Sequence, residues 1–269
     1  MRRIRTAVAV AAAAALLGGA TACGGDGGRE RTPQEAFQAS AKVMAAAGAA
    51  KVALVRQDPA DGPSSGSGVL SWGSKPALDL VLDRGSGEVA VRTLDGVVYL
   101  GADAAQTVRM GGRRWMKFDP EKSSGGNSEA AGYSTWSEQL DPVSDLAALA
   151  EVGTLQRLGE ERLGDVHTVH YRGTATIRAL VGATGDLTAA QRVSVLGAYL
   201  RQGATSVTAD IWINDKDEVV QERKTCKVAK GEAITSTRYS EIGTEVNIQA
   251  PLPDDTFDLA DADPGNATG

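Results

Sequence analysis

Few residues in this chain are of a type that does chemistry, and their spacing excludes most of what they might do. Gly62-Pro63-Ser64-Ser65-Gly66 matches the G-x-S-x-G pattern of a nucleophilic serine. That device needs an apolar strand before the serine and a helix after it. Here the motif falls in a Pro/Ser/Gly run from Asp58 to Gly68, read as a turn-rich loop, so no hydrolase is expected. His167 and His170 stand three apart in a strand-like segment. Alternation sends their side chains to opposite faces, so they cannot share a metal ion. Asp254, Asp255, Asp258, Asp261 and Asp263 lack the spacing of a calcium loop and read as a solvated tail, and Asn266-Ala267-Thr268 is a sequon in form only. Two cysteines exclude a disulfide-rich scaffold, a four-cysteine zinc site and a cysteine-ligated iron–sulfur cluster. A net charge of −6 and a pI near 5.1 argue against a nucleic-acid surface, which needs clustered Lys and Arg. The expectation is a non-enzymatic protein with no cofactor, no metal and no nucleic-acid partner.

The cysteines differ in setting. Cys226 lies in the strand-like run Glu222 to Val228 beside basic residues and reads as a small half-buried strand residue. Cys23 follows a different pattern. Arg2, Arg3 and Arg5 precede an apolar run from Thr6 to Leu17, and Gly18-Gly19-Ala20-Thr21-Ala22 lead into the cysteine. The apolar run is too short to span a bilayer and has the form of a signal-peptide core. The small residues before Cys23 resemble the lipobox of bacterial lipoproteins, with Ala20 where leucine is commonest. In an ordinary secretory signal Cys23 would be incidental; the Gly24-Gly25-Asp26-Gly27-Gly28 tether behind it favours the lipobox. The resemblance implies a lipidated Cys23 that anchors the protein at the extracytoplasmic face of the plasma membrane. Two or three acyl chains hold a protein stably where one does not.

The elements behind these residues follow from patterning, and no repeat of 20–50 residues is present. Thr32-Pro33-Gln34-Glu35 is a capping box opening a helix whose stripe is Phe37, Ala41 and Met44, with Gly48 at its end. Strands are expected at Lys51–Gln57 and at Ala77–Asp83, where Leu78, Leu80 and Leu82 share a face. Asp95-Gly96 joins two more in a hairpin, and a further short hairpin is read over Val108–Lys117 about Gly111-Gly112. A loop covers Asp119–Gly132, and Asp141-Pro142 opens a helix to about Val152. Strands at Leu155–Glu161 and Val166–Arg172, a short helix near Thr176 and a longer one over Leu187–Arg201 come next. The stripe of that last helix is read as Ala189, Val193, Leu196 and Leu200. Val207, Ala209, Ile211 and Ile213 then alternate along a strand, and two more follow. Connections too short for parallel crossovers make this an antiparallel meander. The fold class is α+β, a large and mostly antiparallel sheet with helices on one face.

Three segments in this order resemble the LppX/LprG type (LppX_LprAFG-like) of actinobacterial surface lipoproteins. Gly112 to Asp119 is similar to their W-x-K strand, Ala209 to Val220 to their tryptophan hairpin, and Tyr239 to Val246 with Ala250-Pro251 to their ending. The resemblance implies a curved, half-open sheet with helices over its concave side, similar to the periplasmic lipoprotein-carrier fold. It also implies binding or transfer of an acylated lipid or glycolipid in an apolar cavity. Residues 1–22 are then the signal peptide, 23–32 the lipidated cysteine and tether, 33–253 one domain and 254–269 an acidic irregular tail. The cavity-lining candidates are Phe37, Ala41, Met44, Leu78, Leu80, Leu82, Ala189, Val193, Leu196, Leu200, Val207, Ala209, Ile211 and Ile213. No charge is expected inside. The alternative class is an anchored interaction or sensory module of the cell envelope, with an unknown protein partner and no ligand.

Overall fold

The computed structural model describes residues 31–60, 62–85, 87–122, 128–185 and 187–262. The signal segment, Cys23 and the Asn266 sequon lie outside the described residues. Helix α1 (Pro33–Ala47) starts as its sequence requires. The Thr32 hydroxyl accepts the Glu35 N–H at 3.2 Å, and the Glu35 carboxylate accepts the Thr32 N–H at 2.8 Å. Gly48, at φ 71°, ends it in the left-handed conformation that favours glycine.

Among the described residues twelve strands form one sheet. In chain order β1 (Ala49–Asp58), β2 (Gly62–Ser71), β3 (Ala77–Asp83), β4 (Glu88–Leu94) and β5 (Val97–Gly101) make a meander. Asp95 and Gly96, both at positive φ, close the expected hairpin. The loop expected over Asp58–Gly68 is instead mostly strand β2, paired along its length with β1 and β3. Its glycines permit close approach rather than turning. A Cβ on Gly68 would lie 2.0 Å from the Asp79 carbonyl oxygen, and one on Gly66 2.4 Å from Leu82 Cδ2.

The hairpin expected over Val108–Lys117 is also corrected. Asp103 caps Ala104–Arg109 as a short helix, α2, and only Trp115–Phe118 is strand, β6. The Asp103 carboxylate takes the Gln106 N–H at 2.7 Å, a capping box that outweighs the β-branched Thr107 and Val108 inside the helix. The expected loop ends early, in α3 (Ser128–Tyr133). Helices α4 (Trp136–Gln139) and α5 (Pro142–Val152) follow, with Asp141 capping α5 as read.

The second half runs β7 (Thr154–Leu163), β8 (Val166–Thr176), α6 (Ile177–Ala183), α7 (Ala189–Arg201), β9 (Ser206–Asn214), β10 (Val219–Val228) and β11 (Gly231–Ser240). The tail is not irregular throughout. Thr256–Asp258 forms β12, parallel to β6, held by Arg114–Asp255 at 2.7 Å and Lys117–Asp258 at 2.8 Å. Two of the acids read as a solvated run, Asp255 and Asp258, thus meet Arg114 and Lys117, three apart at and just before β6.

The sheet order is β12-β6-β5-β4-β3-β2-β1-β11-β10-β9-β8-β7, antiparallel except at β12, and it does not close. Twelve strands laid flat would span about 50 Å at the usual spacing, far more than a few helices can cover. The sheet curls instead, and one apolar cluster joins Leu78, Leu80 and Val98 of one half to Tyr171, Val207 and Ile211 of the other. Helices α1, α5, α6 and α7 pack in series over the concave side of the second half, and α3 and α4 touch the first half. No helix among the described residues is long and apolar enough to cross a membrane.

Candidate functional site

The concave face is not filled evenly. Strand β3 turns Leu78, Leu80 and Leu82 inward, and β1 turns Val52 and Leu54 inward. Register places Gly62, Ser64, Gly66 and Gly68 of β2 on the same face, opposite Asp58, Arg56, Leu54 and Val52. Gly66 and Gly68 are closed over by Leu82 and the β3 backbone, whereas Gly62 and Ser64 at the far end border open space. At that end a cleft of about 1020 Å³ lies between Gly62, Ser64, Leu82 and Arg84 on the sheet, Tyr133 and Trp136 of α3 and α4, and Ala198, Arg201 and Gln202 at the end of α7. Ser64 therefore belongs to a cleft wall inside a paired strand, with none of the strand-turn-helix geometry of a nucleophile.

Aromatic and cationic groups organise the mouth. The Arg56 guanidinium lies 4.7 Å over the Trp136 ring, and Arg84 lies 5.7 Å over Tyr133. Tyr133 and Trp136 meet edge-on at 4.8 Å, fixing both rings. Asp58 is buried in the wall; one oxygen accepts the Ala60 N–H at 2.8 Å, and the other lies 3.7 Å from Arg56.

Behind the cleft, sharing Arg56, Trp136, Gln139, Ala198 and Gln202 with it, is a chamber of about 70 Å³. Leu54, Leu140, Tyr199, Lys224, Cys226 and Thr235 line it, which leaves room for a few water molecules. Here the expectation of a charge-free interior fails. Lys224 is buried against Asp145 and the Gln139 carbonyl, with the Glu222 carboxylate 3.7 Å away. Desolvation opposes the ammonium charge, yet Asp145 and Glu222 together raise the Lys224 pKa well above the ordinary lysine value. Burial pushes Glu222 up to about 7 against the pull of Lys224, and neither of its oxygens has a hydrogen-bond partner. Burial likewise raises the Cys226 thiol to about 11 and raises the Tyr199 and Tyr239 hydroxyls. The Tyr239 hydroxyl donates to the Leu140 carbonyl at 3.0 Å, so the cluster ties the turn before α5 to β10 and β11.

The residues read from sequence separate into three groups. Phe37, Met44, Leu78, Leu80, Val207, Ala209, Ile211 and Ile213 are buried in the solid core, and Ala41 is half-buried against it. Leu82 lines the cleft. Of the α7 stripe, only Leu196 packs on the core; Ala189 and Leu200 are exposed, and Val193 is 73% exposed. Helix α7 instead turns Val195 and Tyr199 inward, a pair at i, i+4 on one face. Arg56, Trp136, Ala198, Arg201 and Lys224 were not anticipated. The signal for two of them, Arg56 and Lys224, is alternation: Val52-Leu54-Arg56 and Glu222-Lys224-Cys226 keep a core-facing period of two through charged residues.

His167 and His170 lie on opposite faces of β8, as their spacing requires, and away from the cleft. His170 stacks on Trp212 at 4.2 Å, with Nδ1 2.8 Å from Glu161 and Nε2 3.0 Å from Asp210. His167 sits 2.8 Å from Asp215, whose hydrogen bond raises the His167 pKa.

Fold and site together define an open, curled antiparallel sheet that holds a helix-walled cleft on its concave side. Solved structures of two mycobacterial lipoproteins are among those similar to the chain. LppX of Mycobacterium tuberculosis is 13% identical, with 80% of this chain and 97% of that one covered at a TM-score of 0.47. LprF of Mycobacterium bovis is 14% identical, with 81% and 96% covered at a TM-score of 0.46. In sequence, a Streptomyces coelicolor protein named "Putative lipoprotein" is 25% identical over 95% of this chain and 94% of its own. An uncharacterised 31.2 kDa protein of Streptomyces griseus is 26% identical over 74% of this chain, which spans 66% of that relative's length. No family model matches the chain. In sequence the chain is thus similar to Streptomyces proteins, one of them named as a lipoprotein.

Proposed function

We propose that this protein is a membrane-anchored, non-enzymatic lipoprotein that binds or transfers an acylated lipid or glycolipid at the extracytoplasmic face of the plasma membrane. The observation that carries this reading is the cleft of about 1020 Å³, opened by the glycine and serine face of β2 and walled by Leu82, Tyr133, Trp136 and Ala198. Its volume is at the upper end of ligand pockets, about 300–1,000 Å³, which suits a long chain better than a compact metabolite. Each methylene withdrawn from water contributes about 0.8 kcal/mol, so a chain of ordinary length supplies useful affinity even after ordering costs. Lipidation of Cys23 holds the domain where such ligands reside, and the sequon-bearing tail and both histidines take no part.

The described residues from Arg31 onward form one compact unit, so the chain begun at Gly24 can be made without its anchor. Native mass spectrometry of that form is expected to find lipid adducts, and Ala198→Trp, which fills the cleft between α7 and the sheet, is expected to remove most of them. A wild-type domain without lipid, paired with a Trp variant altered only in stability, sinks the carrier reading. The anchored interaction module then takes its place.

A further inference from the structure

The apolar stripe that the sequence marks on α7 is the one the fold leaves outside. Of Ala189, Val193, Leu196 and Leu200 only Leu196 packs on the core, and Val193 is among the most exposed large apolar side chains of the described residues. Helical spacing sets Ala189, Val193 and Leu200 on one outward face. The charge around that face has one sign. From Ile177 to Gln202 three arginines stand against one acid, Asp186, in a chain whose net charge is −6. Arg192 donates to the Val181 and Gly182 carbonyls at 2.8 Å, which puts its charge at the seam between α6 and α7. Arg178 on α6 and Arg201 on α7 are exposed and form no ion pair among the described residues. An apolar stripe among arginines is the pattern of a helix that lies in the plane of a membrane surface. Its long cationic side chains reach the phosphates while its aliphatic ones enter the headgroup boundary. We propose that the outward face of α7 docks on an anionic lipid bilayer, with Val193 and Leu200 entering the headgroup region and Arg178 and Arg201 meeting its phosphates. A second copy is a poorer occupant, because it would bring the same positive face against itself. The tether also favours the bilayer. Helices α1, α5, α6 and α7 pack in series, and α1 begins just after Arg31. With Cys23 lipidated, eight residues join the membrane to this helix layer, a reach of about 29 Å at full extension. The anchor thus keeps the face at high local concentration beside the bilayer, where a weak contact is enough to set orientation. Ala198 and Arg201 also wall the cleft, so a docked α7 holds the cleft against the lipid surface. The inference goes beyond the carrier reading and stands even if the cleft takes no ligand.

The test uses the chain begun at Gly24, so that attachment comes from the face alone. Val193→Cys is labelled with the environment-sensitive dye NBD, and Val55→Cys, exposed on the convex side of β1, serves as the control. Cys226 is buried, with its thiol raised to about 11, and stays unlabelled. Each form is titrated with vesicles of phosphatidylcholine, alone or mixed with phosphatidylglycerol, at low and high salt. The dye at position 193 is expected to brighten and shift to the blue on mixed vesicles, and the dye at position 55 to stay unchanged. Binding to mixed vesicles is expected to be about tenfold tighter than to phosphatidylcholine, with the preference reduced by salt. An acidic domain without such a face would be repelled by the mixed vesicles instead. The double variant Arg178→Gln, Arg201→Gln is expected to lose the preference, and Leu200→Ser to weaken binding to both kinds of vesicle. No change at position 193, an equal change at position 55, or a preference that survives in the double variant overturns the proposal. A dye already blue-shifted without vesicles, together with a dimer mass in solution, assigns the face to a second copy and overturns it as well. Lipid in the cleft is read separately by native mass spectrometry, so a failure here leaves the carrier reading in place.

Discussion

Replacing Glu222 by glutamine isolates the energetic consequence of placing a carboxyl behind the cleft. Its pKa is about 7 in the fold against an ordinary 4.5, chiefly because burial disfavours the charged form. The sign follows from linkage. Below pH 4.5 both folded and unfolded chains hold the proton and the group costs nothing. As pH rises through 4.5 the unfolded chain releases it while the folded chain keeps it, so stability is lost progressively until about pH 7 and is level thereafter. The gap corresponds to about 3 kcal/mol, of which about 2–3 kcal/mol falls between pH 5 and pH 8. A glutamine cannot ionise and is free of this loss. The stability difference between Glu222→Gln and wild type, from urea unfolding, should therefore move in the variant's favour by about 2–3 kcal/mol from pH 5 to pH 8. Any misfit of the amide shifts both pH values equally and cancels. Lys224 stays charged throughout, its pKa being raised well above the ordinary value, so it does not titrate in this window. An unchanged difference at the two pH values, or one that moves the other way, refutes the reasoning.

Other outcomes are expected elsewhere. Gly68→Ala should destabilise the sheet by about 1–3 kcal/mol by chemical denaturation, since its Cβ has to displace the Asp79 carbonyl from 2.0 Å; a neutral effect would mean that β2 and β3 separate freely. Cys226 should resist thiol reagents in the folded protein at pH 8, where a thiol raised to about 11 is about one part in a thousand thiolate, and react at once in denaturant. Cys23→Ala should abolish acyl labelling and lipoprotein-type cleavage; normal processing and detergent-phase partitioning of that variant would show that the lipobox reading is wrong.

Much of the architecture was legible because it is written in periodicity and caps. Thr32-Pro33-Gln34-Glu35, Asp95-Gly96 and Asp141-Pro142 specify their structures locally, and Leu78-Leu80-Leu82 and Val207 to Ile213 announce a buried face. What was missed depends on neighbours. Glycine and serine in β2 read as a loop because nothing local distinguishes a turn glycine from one pressed against the backbone of β3. Asp103 was overlooked as a cap because Val108 and Met110 suggested a strand. The candidate site was least legible. The core-facing rows that were predicted are mostly filled by one another, whereas the cleft lies where small residues leave a gap, and an absent side chain has no hydrophobic signal. Its charged members were hidden for a related reason: Arg56 and Lys224 look like solvent-facing residues until the partners that neutralise them, Asp58 and Asp145, are brought together in space.

The pairing of β1 with β11 sets when the chamber behind the cleft can exist. Lys51 faces Ser240 and Leu54 faces Thr237 across this seam, so strands near the two ends of the described chain are neighbours in the middle of the sheet. The chamber draws Leu54 and Arg56 from one side of the seam and Lys224, Cys226, Ala233 and Thr235 from the other. A chain threaded out N-terminus first can build the β1–β5 meander early, since those contacts are local. It has no chamber until some 180 residues later, when β10 and β11 emerge and close the longest-range pairing of the fold. Chains that stop short of β10 and β11 thus lack the chamber and the buried Lys224 cluster altogether.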